Sequence, residues 1–141
     1  MGLSFLASCK DFPKDPSKTF KKIKTSRPLK VGVLHAPPYV DLASEKVLGS
    51  EVKLIKEFAR VNKIKDLNFI VFNTQDGFKA LGKQDIDLLL GGMQKTMPFK
   101  KVGYTRPFDN DRIIAVSPGE NKFLVELEKH IKNEMKQRGS N

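Results

Sequence analysis

The segment Leu88-Leu89-Leu90-Gly91-Gly92-Met93-Gln94-Lys95-Thr96-Met97-Pro98-Phe99 decides the fold of this chain. Its opening leucines are apolar at consecutive positions, which indicates a strand buried on both faces of a sheet. Gly91 and Gly92 then end the apolar run and allow a ligand or another backbone segment to approach closely. We therefore predict a buried strand whose carboxyl end borders a binding site. The alternative is an ordinary strand-to-helix turn.

The segments around this strand alternate between strand and helix patterns. The predicted strands are residues 29–34, 67–72, 86–90 and 113–116, and the predicted helices begin near Ser50, Thr74 and Asn121. Helix-length segments separate the first three strands, which favours parallel pairing through right-handed crossovers. We therefore predict an α/β fold with a mostly parallel sheet of four to five strands, flanked by helices.

Three loops follow the carboxyl ends of the predicted strands: residues 36–40, 73–75 and 91–96. In a sheet of this kind, ligands bind in the crevice beyond the carboxyl ends of the strands. We therefore expect the three loops to meet at one edge of the sheet and to form any binding site.

The chain has 141 residues and a formal net charge of +10, which raises the question of a nucleic-acid partner. More than half of that excess lies in residues 10–30, which hold eight Lys and Arg residues and two Asp residues. A leader rich in Pro and Lys is typical of a solvated tether that an anionic membrane attracts. We see no nucleic-acid-binding motif and therefore expect no nucleic-acid partner. Nonspecific binding to polyanions is the alternative.

Cys9 is the only cysteine, which excludes an intrachain disulfide and a cysteine-based metal site. It ends the segment Leu6-Ala7-Ser8-Cys9, which matches the lipobox before a lipidated cysteine. We predict a residual lipoprotein signal over residues 1–9, a basic tether over residues 10–28 and an α/β lobe over residues 29–138. A lipid on Cys9 and the basic tether would together supply two membrane signals. An accidental match is the alternative.

The sequence contains no recognisable catalytic machinery. His35 and His130 have no nucleophile or metal partner that the sequence reveals, and we expect His130 to be packed in the core. Asp85 and Asp87 resemble a carboxylate pair, but we interpret Asp87 as the residue that ends or caps the preceding turn. No phosphate-binding loop, nucleophile elbow or HExxH motif is present. We therefore predict no enzymatic activity, no catalytic residue, no metal and no cofactor.

Four segments occur in a characteristic order. They are Leu29-Lys30-Val31-Gly32-Val33 with Pro37-Pro38-Tyr39-Val40, then Gly49-Ser50-Glu51-Val52-Lys53-Leu54, then Asp87-Leu88-Leu89-Leu90-Gly91-Gly92-Met93, and last Tyr104-Thr105-Arg106-Pro107-Phe108. Together they resemble the amino-acid-type (family 3) extracytoplasmic solute-binding lipoproteins of bacteria, over about residues 28–135. The resemblance implies a single lobe of type II periplasmic-binding-protein-like fold.

The chain departs from that family's pattern at two points. After the Thr-Arg-Pro-Phe region the family usually crosses into a second lobe, whereas here Asp109-Asn110-Asp111 alone separates Phe108 from the next strand. The family's arginine for the ligand carboxylate is matched here by Phe99, which offers no bidentate fork. The resemblance is therefore closest to a branch that has only the first lobe.

The resemblance also implies which residues face a ligand. They are Pro38, Tyr39, Gly92, Met93, Thr96 and Phe99. Tyr39 and Phe99 would supply aromatic surface, Gly92 and Met93 backbone groups, and Thr96 a hydroxyl. The alternative is that the two rings only cover the end of the sheet.

We therefore predict a lipid-anchored extracytoplasmic protein that recognises a small solute for transport or sensing. Its expected partner is a membrane transporter of the ABC type or a sensor subunit, and it meets the membrane through the lipid anchor only. The alternative is an interaction module that has lost ligand binding. A homodimer of such lobes would rebuild a cleft between its two copies.

Overall fold

The computed structural model describes residues 18–96 and 100–139. In chain order its elements are α1 (Thr19–Thr25), β1 (Leu29–Val33), α2 (Ser50–Val61), β2 (Leu67–Val71), α3 (Thr74–Gly82), β3 (Leu88–Gln94), β4 (Gly103–Tyr104), β5 (Arg112–Val116) and α4 (Asn121–Gly139). The predicted strands and helices are all present, and the short strand β4 is an addition. None of the helices in the described ranges has the length and apolar composition of a membrane span.

The five strands form one sheet in the order β2-β1-β3-β5-β4. β1 pairs in parallel with β2 on one side and with β3 on the other, whereas β5 runs antiparallel to both β3 and β4. β5 is therefore the one strand of this sheet that runs against the others, which confirms the mostly parallel α/β fold. Because β2 and β3 lie on opposite sides of β1, the topological switch point lies between β1 and β3.

The central strands of the sheet, β1, β3 and β5, are largely buried on both faces. Leu88 and Leu90 of β3 enter the core that α1, α2 and α4 cover, whereas Leu89 between them enters the core on the α3 side. Phe58 and Phe123 pack edge to face in the larger core, with ring centroids 6.1 Å apart. The consecutive apolar residues of β3 are thus explained by helices on both sides of the sheet.

His130 belongs to the same core. Its Nε2 lies 3.2 Å from the carbonyl oxygen of Leu54, and its ring centroid lies 5.6 Å from that of Phe58. The side chain is buried. The prediction that His130 is a packed residue is confirmed.

The folded part begins earlier than the sequence pattern predicts. Thr19–Thr25 forms the helix α1, and its Phe20 and Ile23 belong to the larger core. Oε1 of Glu120 accepts hydrogen bonds from the backbone N–H and the hydroxyl of Thr19, at 3.2 and 2.5 Å. The predicted tether over residues 10–28 is therefore wrong from Thr19 onward, because Phe20 and Ile23 give this lysine-rich segment one buried face. Residues 10–17 of the tether and the signal predicted over residues 1–9 lie outside the described residues.

Candidate functional site

The carboxyl ends of β1, β2 and β3 lie side by side. The Leu34 N–H donates to the Leu90 carbonyl at 2.9 Å, and the Phe72 N–H donates to the Val33 carbonyl at 3.0 Å. Pairing therefore continues past the ends of β1 and β2, and it reaches Leu90 in β3, just before Gly91 and Gly92. We call the surface formed by residues 34–40 and 91–96 the carboxyl edge. It lies at the switch point of the sheet, where α/β folds place their ligands.

A bulge in β3 shapes the carboxyl edge. Leu89 pairs with Ala115 but Met93 pairs with Ile113, so β3 contains extra residues between these two pairs. Gly92, inside the bulge, has φ +62°, a left-handed conformation that favours glycine. The bulge therefore places backbone N–H groups at the strand end without a partner strand.

Glu51 accepts the hydrogen bonds that the bulge offers. Its Oε1 lies 3.1 Å from the backbone nitrogens of both Gly91 and Gly92. Glu51 stands in the first turn of α2, and its own N–H donates to the Tyr39 carbonyl at 3.0 Å. A Cβ on Gly49 would lie 2.2 Å from that carbonyl oxygen, so the approach of the loop to α2 requires glycine there. The start of α2 thus fixes the Glu51 carboxylate against β3.

Arg112, the first residue of β5, reaches the same carboxylate. Its Nη1 donates to Oε2 of Glu51 at 2.6 Å, and the side chains of both residues are at most 2% exposed. Its Nη2 donates to Oδ2 of Asp109 at 2.8 Å and its Nε to the Asp109 carbonyl at 3.1 Å. The guanidinium carbon lies 4.0 Å from the ring centroid of Tyr39 and 5.1 Å from that of Phe108. Two carboxylates and two aromatic rings therefore compensate the burial of this cation.

The loop that carries Asp109 is a tight hairpin. Phe108 and Arg112 exchange backbone hydrogen bonds of 2.9 and 2.8 Å. Asp109, Asn110 and Asp111 between them all have positive φ angles, of 23°, 62° and 60°. Asn and Asp are the residues other than glycine that enter this region most readily. The hairpin leads directly from Phe108 into β5, as the sequence indicates.

The carboxyl edge brings together most of the residues that the resemblance implies. Pro38 and Thr96 are exposed, and Tyr39 and Gly92 are half-buried. A Cβ on Gly92 would lie 2.5 Å from Cδ2 of Tyr39, so the aromatic ring rests directly on the bulge. The ring therefore contacts both Gly92 and Arg112.

Of the other two implied residues, Met93 offers only its backbone to the carboxyl edge, and Phe99 is not among the described residues. The Met93 side chain is buried in the core on the α3 side, so only its backbone is available to the carboxyl edge. Phe99, together with Met97 and Pro98, lies outside the described residues, and so does the predicted lipidation site Cys9.

Sequence reasoning missed the contribution of Glu51 and Arg112. The pattern assigned Glu51 only to a favourable first helical turn and gave Arg112 no role. The available signal was a charged residue at the start of an otherwise apolar strand, Arg112-Ile113-Ile114-Ala115-Val116. Such a residue ordinarily marks a solvated strand end, and its burial here depends on a partner far away in the sequence.

A second ion pair lies near the amino ends of β1 and β3, opposite the carboxyl edge. Arg27 donates from Nη1 and Nη2 to the two carboxylate oxygens of Asp87, both at 2.8 Å, and these hydrogen bonds to Asp87 raise the pKa of Arg27. Asp87 also accepts from the Lys30 N–H at 2.9 Å. Its carboxylate thus holds the segment around the start of β1 and does not cap the preceding turn. This pair is structural and remote from the carboxyl edge.

Two grooves lie elsewhere on the surface. One, of about 560 Å³, is lined by Arg106, Pro107, Phe108, Asp109, Val125, Glu128, Lys129, Ile131, Lys132 and Met135. The other, of about 650 Å³, is lined by Gln75, Phe78, Lys79, Gly82, Lys83, Lys100, Lys101 and Val102. Neither includes Tyr39, Gly92 or Thr96.

Metal-ligating side chains do not cluster in the part of the chain that the structure describes: no group of three or more His, Cys, Asp or Glu residues there is arranged to hold an ion. His35, next to the carboxyl edge, accepts a hydrogen bond at Nδ1 from the Leu42 N–H at 3.1 Å.

Comparison with known proteins gives a structural match. The chain matches no protein-family model and no curated protein in sequence. Its fold is similar to that of domain 1 of the arginine-binding protein of T. maritima in an arginine-bound variant form, with a TM-score of 0.75 and 23% identity over 83% of this chain and 98% of that one. The arginine-bound form of the same domain without that substitution gives a TM-score of 0.69 and 25% identity over 79% and 97% of the two chains.

Longer solute-binding proteins match over part of their length. The holo form of the T. maritima arginine-binding protein has a TM-score of 0.56 and 27% identity over 63% of this chain and 40% of that one. EhuB in complex with hydroxyectoine has a TM-score of 0.56 and 16% identity over 67% and 37%. This chain therefore spans about two fifths of those proteins and nearly all of the isolated domain.

Proposed function

We propose that this chain, which has the fold of a single lobe of the type II periplasmic-binding-protein-like family, is a non-enzymatic extracytoplasmic protein that binds a small organic solute at its carboxyl edge. The observation that carries the proposal is the bulge of β3 at the switch point, with Gly92 beneath the ring of Tyr39. The solute would be bound for transport or for sensing.

Several features support this location. Pro38 and Thr96 are exposed and Tyr39 is half-buried, so the loops at the carboxyl edge offer an aromatic ring and a hydroxyl. The structural neighbours are solute-binding proteins crystallised with arginine or hydroxyectoine. A lobe of the same fold with an aromatic residue over a glycine bulge is suited to a solute of similar size, because stacking on the ring supplies affinity.

A solute screen on the full chain tests the proposal. Thermal shift and calorimetry are run with amino acids, small amines, organic acids and compatible solutes such as hydroxyectoine. We expect one class to raise the melting temperature, since a ligand at 100 times its dissociation constant adds about 2.7 kcal/mol to the stability of the folded state. If no class shifts a well-folded protein, the proposal fails. A concentration-dependent dimer in sedimentation would then favour the interaction module.

Two variants locate the binding site. Tyr39→Leu removes the aromatic surface and Thr96→Val removes the exposed hydroxyl, and both are expected to weaken binding about tenfold or more, the equivalent of one lost contact. Thr25→Val is the matched control, because Thr25 lies at the other edge of the sheet and its hydroxyl donates to Lys21 in α1. If Tyr39→Leu and Thr96→Val bind the solute as tightly as the wild type and Thr25→Val do, the binding site lies elsewhere.

We extend the proposal to the membrane anchor. The segment Leu6-Ala7-Ser8-Cys9 has the pattern of a lipobox, and a lipid on Cys9 would hold the lobe at a membrane surface near a transporter or sensor subunit. Metabolic labelling with a fatty-acid analogue in a bacterial host, followed by mass spectrometry, tests it. Label on the wild type and none on Cys9→Ser supports the anchor, and no label on either contradicts it.

A further inference from the structure

We infer that the pocket bounded by Tyr39, Phe108, Glu51 and Asp109 is a guanidinium-binding site that the chain fills with its own Arg112. A free guanidinium compound binds there only when the Arg112 side chain has been removed. The inference rests on the contacts of Arg112, and only its consequence for solutes at the carboxyl edge rests on the proposed function. The two can therefore fail separately.

The pocket fits a guanidinium group in charge and in hydrogen-bond geometry. Carboxylate oxygens of Glu51 and Asp109 accept from the two terminal nitrogens of Arg112, at 2.6 and 2.8 Å. The Asp109 carbonyl accepts from the third nitrogen at 3.1 Å. A planar fork with five donors satisfies acceptors spread in this way, whereas an ammonium group is a compact point charge.

The pocket also fits the flat faces of a guanidinium group. The guanidinium carbon of Arg112 lies 4.0 Å from the ring centroid of Tyr39, which is stacking distance, and 5.1 Å from that of Phe108. Such cation–π contacts strengthen where water is excluded, and Arg112 is 2% exposed. Charge, hydrogen bonds and stacking are thus provided together around one buried guanidinium group.

Groups other than Arg112 hold two sides of the pocket, Glu51 and Tyr39, in place. Oε1 of Glu51 is fixed by the N–H groups of Gly91 and Gly92. The backbone of Tyr39 donates to the Ala36 carbonyl at 2.9 Å and accepts from the Glu51 N–H at 3.0 Å. Because these bonds do not involve Arg112, the carboxylate and the ring remain opposite each other when its side chain is shortened.

The Arg112 guanidinium occupies groups at the carboxyl edge that a cationic solute would otherwise use. The Glu51 carboxylate and one side of the Tyr39 ring are already occupied, so neither is available to a cationic solute. We therefore expect the wild-type protein to prefer neutral or anionic solutes over arginine or other guanidinium compounds.

Chemical rescue of Arg112→Ala in the full chain tests the inference. The probes are methylguanidinium and methylammonium at about 10 mM, far below the concentrations at which guanidinium salts unfold proteins. We expect the variant to melt well below the wild type, and methylguanidinium to raise its melting temperature by several degrees in a saturable manner, as site binding requires. Methylammonium should be much weaker, and the wild type should respond to neither compound.

A control variant and a second measurement make the test decisive. Arg27→Ala also removes an arginine paired with a carboxylate, but no aromatic ring stacks on that pair among the described contacts; we expect no saturable rescue there. If Arg112→Ala is unfolded without additive, recovery of the far-ultraviolet circular dichroism on adding methylguanidinium replaces the melting shift. The inference is wrong if neither readout changes, if methylammonium acts equally well, or if Arg27→Ala is rescued to the same extent.

Discussion

The carboxylate of Glu51 and the guanidinium of Arg112 are 2.6 Å apart and join α2 to β5 across 61 residues of sequence. The other oxygen of the same carboxylate accepts from Gly91 and Gly92 at the end of β3. One side chain therefore connects the switch point of the sheet, the start of α2 and the Phe108 hairpin. The geometry of the carboxyl edge depends on this connection.

The first prediction concerns Glu51. Glu51→Gln keeps the shape of the side chain but removes the charge opposite Arg112, which is then left buried with Asp109 as its only described carboxylate partner. We expect a loss of about 3 kcal/mol in the free energy of unfolding, because breaking a buried pair leaves an uncompensated charge. Urea denaturation monitored by circular dichroism measures it.

Glu57→Gln is the control for that change. Glu57 lies on the same helix and pairs with Arg60 three residues along, but on the surface. Arg60 lowers the pKa of Glu57 through its hydrogen bond, yet exposed pairs contribute little to stability. A Glu57→Gln variant as unstable as Glu51→Gln would contradict the role assigned to the buried pair.

The second prediction concerns Gly92 and the ring above it. Gly92→Ala introduces a Cβ that would lie 2.5 Å from Cδ2 of Tyr39, in addition to the backbone cost at φ +62°. Gly119→Ala carries only a backbone cost, since Gly119 has φ +80° and nothing lies within 4 Å of its added Cβ. We expect Gly92→Ala to be less stable than Gly119→Ala by about 1–3 kcal/mol, the cost of overpacking. Equal destabilisation would mean that Tyr39 does not rest on the bulge.

The third prediction concerns α1. Ile23 is 2% exposed in the larger core, so Ile23→Ala is expected to lower the free energy of unfolding by about 2–5 kcal/mol. Ile70→Ala makes the same substitution in β2 where the side chain is 37% exposed, and a distinctly smaller loss is expected. Denaturation of the two variants side by side measures the difference. If Ile23→Ala were the milder change, α1 would not belong to the core.

Local patterns in the sequence predicted most of the fold, because the apolar spacing of most strands and helices can be recognised within about ten residues. The leucines of β3 and the spacing of apolar residues in α2 needed no distant partner to be recognised. Around Phe20 and Ile23 the sequence pattern indicates one helical turn at most, because six Lys and Arg residues from Lys18 to Lys30 obscure the buried face of α1. The short β4 offers too few residues for any periodicity.

Local patterns also predicted part of the candidate site, because they mark the ends of the strands. Gly91, Gly92 and Tyr39 stand at recognisable strand ends, so their meeting at one edge followed from topology. Glu51 and Arg112 could not be placed, because the burial of each depends on the other and on a long-range contact. A single sequence contains no local pattern that records such a pair.

A titration monitored by heteronuclear NMR tests the central claim most directly. The full chain, labelled with ¹⁵N, is titrated with the solute that gives the largest thermal shift. The account predicts that the largest chemical-shift changes cluster at the carboxyl edge, on the amides of Tyr39, Gly91, Gly92, Lys95 and Thr96. Changes confined to another surface, such as the groove beside α4, or no saturable change with any solute, would contradict it.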